Sequence, residues 1–325
     1  MSAMAMPSRK AAFDPIYQAA DLLGDAWSWM ILREAIFDNV TRFTDFQLRL
    51  GISRRVLSNR LDTLTEGGLF ERRGAREEGG HLLYVLTPMG RDFLSCLMTA
   101  MHWGERWFPN LEQTDGHAIH KRYGHRLSAV LRCSECFQAI KAREVAVVAI
   151  HRASADLIGA RRQRTPNLDA LEHAQPSAIV RTLRVIGDRW SSLIIRECFL
   201  GTRRFGIFEE HLGIAPNILT NRLERLVAFG VLMKKPSPSQ AGWLEYRLTE
   251  QGLDLYSVPL SMLKWAEKWL ARGTSRTDLR HKLCGKRFSP LLTCSTCTEP
   301  IGIDDIAIQH SASATAPKTP AASAG

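Results

Sequence analysis

Residues 42–66 read RFTDFQLRLGISRRVLSNRLDTLTE and divide at a glycine. Residues 44–50 place their apolar side chains at helical spacing, and Gly51 supplies a tight turn that a side chain would resist. Ser53 then offers an N-cap oxygen to a longer helix ending near Glu66, with Leu57, Leu61 and Leu64 on one face. A short helix, a glycine turn and a longer capped helix form the helix-turn-helix outline. Upstream, residues 16–23 and 27–37 are two apolar-periodic segments separated by Gly24 and Asp25, a helix stop followed by a cap. Downstream, residues 70–73 and 82–87 read as strands joined by a polar, glycine-rich tip, which makes a wing hairpin. One last helix is expected over residues 88–107. Its stripe of Phe93, Leu97, Ala100, Met101, Trp103 and Trp107 is wide enough to pack on a second domain or subunit.

The same outline returns further along the chain. Leu23-Gly24-Asp25-Ala26-Trp27 matches Ile186-Gly187-Asp188-Arg189-Trp190, and Ile31-Leu32-Arg33-Glu34 matches Ile194-Ile195-Arg196-Glu197. After a one-residue deletion, Leu50-Gly51-Ile52 aligns with Leu212-Gly213-Ile214, Asn59-Arg60-Leu61 with Asn221-Arg222-Leu223, and Trp103 and Trp107 with Trp265 and Trp269. In the second copy Pro216 suits the first turn of the longer helix, Leu219, Leu223 and Leu226 face inward, and Lys234-Lys235 opens the second wing. Two long copies imply duplicated domains, because a solenoid closes its core with three or more short units. The expected fold is mainly α with small β-hairpin wings, an α+β pair of tandem winged helix-turn-helix domains. Each is followed by a short cysteine-containing β-hairpin appendage. The expected boundaries are 13–112 and 113–152 for the first domain and its appendage, 153–175 for a linker, 176–272 and 273–306 for the second pair, and 307–325 for an Ala/Ser/Thr/Pro tail of disordered composition.

Composition is consistent with this reading. The 325 residues are long enough for about two domains. Lys plus Arg total 43 against 33 Asp plus Glu, a formal charge of +10, which favours an anionic partner. Hydrophobic content of 45% with 23% charged residues is globular and excludes collagenous or largely disordered chains. No apolar run reaches the roughly 18 residues of a membrane span. The opening MSAMAMPSRKAAFDP lacks a secretory apolar core, so a reducing cytoplasm is expected, where the seven cysteines would not form a disulfide framework.

Those cysteines have a pattern. His281-x-x-Cys284 followed by Cys294-x-x-Cys297 gives four soft or borderline ligands in two pairs, a spacing suited to tetrahedral zinc. In the first copy Tyr123 stands where Cys284 would align, leaving His120, Cys133 and Cys136, with His125 as a substitute fourth ligand. A reversible disulfide is the competing use of Cys-x-x-Cys, and inert reduced thiols are the plainest one. Cys96 and Cys198 fall inside apolar helices and read as core residues.

Several pieces recur in order and spacing in both copies: Gly-Asp-x-Trp, then Ile-Leu-Arg-Glu or Ile-Ile-Arg-Glu, Leu-Gly-Ile, Leu-Ser-Asn-Arg-Leu or Leu-Thr-Asn-Arg-Leu, the glycine before the wing, and Tyr-x-Leu-Thr-x-x-Gly after it. In these the chain resembles the HxlR-type winged helix regulators of bacterial transcription. The resemblance implies a DNA-binding repressor or activator, not an enzyme, that works as a homodimer. Here the pair would form within the chain or with a second chain, reading a pseudo-palindrome with helices about 34 Å apart. Some members of that family sense oxidants through a cysteine followed by proline ahead of the first long helix. Asp14-Pro15 and Gln175-Pro176 occupy those places here, so that mechanism does not carry over.

Phosphate attraction and base-edge contacts need exposed Arg, Asn, Ser or Thr near the start of a reading helix. The first copy offers Ser53, Arg54, Arg55, Ser58, Asn59 and Arg60, and residues 42–62 hold five arginines against two aspartates. The second offers Asn217, Thr220, Asn221, Arg222 and Arg225, diluted by Glu209, Glu210 and Glu224. Arg60 and Arg222 lie beside the inward leucines, where a structural ion pair competes with a phosphate contact. Wing residues Arg72, Arg73, Arg76, Lys234 and Lys235 would position the DNA backbone. The expected partner is therefore double-stranded DNA, with no membrane and an effector the sequence does not name. A ligand-sensing or protein-interaction module that has lost DNA reading is the competing function, and a thiol redox enzyme a distant third.

Overall fold

The computed structural model describes residues 14–74, 82–108, 116–149, 177–240, 242–271 and 277–309. The linker expected at 153–175, residues 310–325 of the expected tail and most of the first wing tip lie outside them.

The first copy runs α1 (Pro15–Leu23), α2 (Ala26–Phe37), α3 (Phe43–Leu50), α4 (Arg54–Glu66), β1 (Phe70–Arg73), β2 (Leu83–Leu86), α5 (Pro88–Arg91) and α6 (Leu94–Trp107), then β3 (His117–His120), β4 (Ala129–Cys133) and β5 (Val145–Ala149). The second repeats it as α7 (Ala178–Ile186), α8 (Arg189–Phe199), α9 (Phe205–Leu212), α10 (Pro216–Ala228), β6 (Leu232–Pro236), β7 (Leu244–Leu248), α11 (Glu250–Asp254) and α12 (Ser257–Trp269), then β8 (Asp278–His281), β9 (Pro290–Cys294) and β10 (Ile306–Gln309). This is the mainly helical winged fold that the sequence implies.

Local chemistry sets the bounds of α3 and α9 and of the longer helices, α4 and α10, that follow them. Gly51 and Gly213 end α3 and α9 at φ of 60° and 58°, the left-handed region where Cβ is penalised. Ser53 caps α4 by accepting from the Val56 amide, while α10 starts on Ala215 with Pro216 in its first turn. The helix expected over 88–107 breaks in two. Thr87 caps α5 by accepting from the Gly90 amide, and the Phe93 amide then bonds back to Gly90 in a tighter three-residue turn before α6 resumes.

The copies meet through their last helices in a reciprocal pattern. The Trp103 indole donates to the Gln251 carbonyl at 3.0 Å, and the equivalent Trp265 donates to the Met89 carbonyl at 3.0 Å. Trp107 donates to Asp254 at 2.7 Å, and Trp269 donates to Asp92 at 2.9 Å. Asp25 and Asp188 pair backbone to backbone across the same junction. The buried ion pair of Arg196 with Asp14, the residue that caps α1, adds a further bond between the copies.

Helices α6 and α7 approach closely because Gly104 has no side chain. A Cβ there would stand 2.0 Å from the Ala178 carbonyl oxygen. Gly104→Ala therefore forces backbone apart, and we expect it to destabilise the chain by about 2 kcal/mol, within the range for overpacking. The check is denaturant unfolding; an unchanged midpoint would show that the helices slide freely.

The appendages do not close on themselves. β3 pairs with β10, β4 with β9 and β5 with β8, all antiparallel and all between copies. Within a copy the described residues close tight turns, marked by bridges such as Ile119 with Arg126 and Arg132 with Ala139. The expected hairpins are thus interleaved into shared two-stranded ladders, which bury apolar faces that each short strand could not cover alone.

Candidate nucleic-acid interface and metal centres

Helix α4 turns Leu57, Leu61 and Leu64 fully into the core, which leaves its other faces outward. Ser53, Arg54, Arg55 and Asn59 are exposed and Ser58 is half-buried. The Arg54 guanidinium lies over the Phe43 ring, 5.4 Å from its centroid, an arrangement that steadies a flexible charge while leaving its donors free. Arg42 is also exposed. Arg49 is not a free charge, since it bonds to Glu34 and pairs with Asp38 at 2.9 Å.

Arg60 faces the scaffold. It forms an ion pair with Asp25 at 3.1 Å, and Asp25 at the same time caps α2, accepting from the Ser28 amide at 3.1 Å and its hydroxyl at 2.6 Å. The second copy repeats the clamp: Asp188 accepts from the Ser191 amide and hydroxyl and from Arg222 Nε at 3.0 Å. Arg60 and Arg222, counted among DNA contacts from sequence, thus each make the ion pair that was their structural alternative, tying α4 to Asp25 and α10 to Asp188. The aspartate of Gly-Asp-x-Trp was missed as their partner. Its recurrence upstream of Asn-Arg-Leu in both copies was the available signal.

In α10, Asn217, Thr220 and Asn221 are exposed. Arg222 also donates to the Asn221 side chain at 2.6 Å. Arg225 donates to the Arg184 carbonyl at 2.7 Å and lies over Phe229, so it too is engaged with the scaffold. On the wings, Arg72 and Arg73 are exposed and pair with Asp62 and Glu71. Lys234 and Lys235 are exposed, while Arg76 lies outside the described residues.

The histidines and cysteines gather in sets that cross the copies. Cys133, Cys136, His281 and Cys284 place their ligand atoms within 4.8 Å of one another, as do His125, Cys294 and Cys297. The grouping expected from sequence order, with His281, Cys284, Cys294 and Cys297 together and His120, His125, Cys133 and Cys136 together, does not occur. The crossed β4–β9 ladder carries each Cys-x-x-Cys away from its own histidine and onto the other copy's. In the first set Cys136 Sγ is 3.2 Å and Cys284 Sγ 3.8 Å from His281 Nδ1, and Cys133 Sγ is 3.9 Å from Cys284 Sγ. In the second, His125 Nε2 lies 3.2 Å from Cys294 Sγ. Burial alone would raise the Cys294 thiol, but the Cys297 amide and His125 outweigh it and pull it down to about 7. Burial pushes both thiols up, that of Cys96 inside the core and that of Cys198 partly buried against it.

An HxlR-like helix-turn-helix model matches residues 22–112 and 185–274, more than half of the chain. The chain belongs to that family, with two copies of its domain. An uncharacterised HTH-type transcriptional regulator of Mycobacterium tuberculosis is 37% identical over 134 residues, which are 41% of this chain and 85% of the relative. Another from Synechocystis is 30% identical over 102 residues, 31% of this chain and 76% of its own length. Among solved structures, PA1607, described as a candidate transcription factor, aligns at 33% identity over 41% of this chain and 94% of its own, with a TM-score of 0.38. The curated relatives are transcriptional regulators, a class without enzymatic activity. Among the described residues no helix is long and apolar enough to cross a membrane.

Proposed function

We propose that this chain is a sequence-specific regulator of transcription that binds double-stranded DNA with α4 and α10. Residues 13–112 and 176–272 act as its two reading units, and the wings lie on the phosphate backbone. The observation that carries this reading is the division of α4, whose leucine face is sealed in the core while Ser53, Arg54, Arg55 and Asn59 stand in solvent at its first turns. That is where a helix entering a major groove makes its contacts. The reciprocal indole bonds support a pairing in which two copies in one chain take the places of two subunits, since an isologous interface has residue i meeting j and j meeting i. Zinc is the cofactor this reading assigns to the His/Cys sets, one of four donors and one of three, because thiolate and imidazole donors together suit it.

The copies are unequal readers. At the positions of Arg54 and Arg55 the second copy carries Pro216 and Asn217, so the first copy neutralises more phosphate. Replacing Arg54 and Arg55 together with alanine is expected to reduce the slope of log affinity against log salt by about 2, one for each cation removed. Asn217→Ala with Arg225→Ala should change it less. Titrating the DNA upstream of the protein's own coding sequence at several salt concentrations measures both. An unchanged slope in the first variant, or equal affinity of the native chain for random DNA, would defeat the reading.

A further inference from the structure

We infer that the chain carries two unequal zinc staples, each built from both copies: Cys133, Cys136, His281 and Cys284 hold one, and Cys294, Cys297, His125 and His120 hold the other. The inference deepens the zinc assignment above and is independent of DNA reading.

The first set already has the dimensions of a metal cage. Tetrahedral zinc with Zn–S of about 2.3 Å and Zn–N of about 2.0 Å separates its ligand atoms by about 3.5 to 3.8 Å. The distances here are 3.2, 3.8 and 3.9 Å. Glu144 stands 3.9 Å from the outer nitrogen, Nε2, of His281, the position of the carboxylate that orients many zinc-bound imidazoles.

The second set has three ligand atoms together and needs a fourth. Equivalent positions in the repeat pair His281 with His120, Cys284 with Tyr123 and Lys286 with His125. Tyr123 has removed a thiol, and His125 supplies an imidazole two residues later from a position where the other copy has lysine. His120 is then the remaining ligand by its place in the repeat. It is only 2% exposed, neither of its ring nitrogens has a hydrogen-bond partner, and its ring centroid is 5.4 Å from that of His125. A buried imidazole with both nitrogens unsatisfied is disfavoured by the full desolvation of those groups, and a metal ion would satisfy one of them. Tyr123, at the position of the lost cysteine, stacks on His125 with centroids 5.8 Å apart.

Both Cys-x-x-Cys turns have the backbone of a ligand knuckle. Each is followed by a non-glycine residue held at positive φ, Phe137 at 59° and Thr298 at 62°. The amide of Glu135 points at Cys133 Sγ at 3.4 Å. Because every set draws ligands from both copies, a bound ion ties the region after α6 to the region after α12 and so holds the two reading units in one relative orientation.

The test is zinc stoichiometry of the full chain, counted by native mass spectrometry. Two ions per native chain are expected. Cys133→Ser and Cys284→Ser should each lose one, and the double variant should still lose only one, because both residues serve the same ion. Cys133→Ser with Cys294→Ser should lose two. His120→Gln should weaken one of the two sites by on the order of a hundredfold or more in a chelator competition, beyond the loss typical of an outer-sphere change. A native chain without zinc would overturn the zinc assignment altogether. Two ions lost in Cys133→Ser with Cys284→Ser would overturn only the crossing of copies, and an unaffected His120→Gln would overturn the ligand set of the second site. Labelling of native thiols during chelation needs no variant: Cys133, Cys136 and Cys284 should become reactive together, and Cys294 with Cys297 as a separate group. Reactivity grouped by copy would count against the proposal.

Discussion

Asp25→Ala is expected to lower the unfolding free energy by about 3 kcal/mol. The carboxylate caps α2 through the Ser28 amide, a bond whose loss costs about 1 kcal/mol. It also neutralises Arg60, and removing one partner of a buried ion pair costs about 3–5 kcal/mol, less here because the Arg60 side chain retains 18% exposure. Asp25→Asn keeps a capping oxygen while discarding the charge, so it should lose about half as much. Urea denaturation of the full chain supplies these values. A double-mutant cycle with Arg60→Ala should return a coupling of about 1–3 kcal/mol. DNA affinity should fall in Asp25→Asn as well, since Arg60 ties α4 to Asp25. Stability within about 0.5 kcal/mol of the native chain, the ordinary range for a surface change, would show that the clamp is not holding the helix.

The two clamps also meet at the junction between the copies. Asp25 anchors Arg60 of α4 and Asp188 anchors Arg222 of α10, and the two aspartates pair backbone to backbone across the junction between copies. The scaffold behind the helices is similarly duplicated with altered chemistry. Glu34 holds Arg49, whereas Glu197 holds His211 at 2.8 Å. The first copy uses a permanently charged guanidinium where the second uses an imidazole, so the two surfaces have drifted in charge while keeping one architecture.

What could be read from the chain alone was local. Gly51, Ser53 and the leucines at 57, 61 and 64 specify a turn, a cap and an inward face within a few residues of one another, and α4 at Arg54–Glu66 follows from them. The break between α5 and α6 was hidden, because the tight turn from Gly90 to Phe93 is made by backbone hydrogen bonds and ends where the apolar stripe from Phe93 to Trp107 begins, so no change of period marks it. The ligand sets were hidden for another reason. In a duplicated chain each strand has two nearly identical candidates for a partner, and hydrophobic pattern does not distinguish β4 with β9 from a hairpin within one copy. Residue types and spacing singled out the seven His and Cys side chains that gather in the two sets, while their assortment depended on topology. Arg60 and Arg222 sat on the boundary of the two cases, since their charge suited DNA but their neighbouring leucines pointed them inward.

Phe93→Ala is the other change with a large expected effect, about 3–5 kcal/mol of stability. Phe93 is fully buried at the start of α6. Its ring meets Trp29 edge-on at 4.9 Å and Trp265 of the second copy at 5.5 Å, both in T-shaped geometry worth about 0.5–1.5 kcal/mol beyond area burial. Trp265 is already held by its bond to the Met89 carbonyl, so it cannot move readily to fill the space left by the ring. The cavity would therefore persist, which places the cost toward the upper end of the range. The equivalent residue of the second copy, Leu255, is also fully buried, but Ser192 stands there in place of Trp29, so no matching aromatic triad forms. Leu255→Ala should accordingly cost less, about 2–4 kcal/mol. Comparing the two by denaturant unfolding separates an aromatic wedge between copies from ordinary core loss, and equal values would remove the wedge from the account. Because the triad joins α2, the start of α6 and α12, its loss should also loosen the pairing of reading units and reduce affinity for a two-half-site DNA more than for a single half-site.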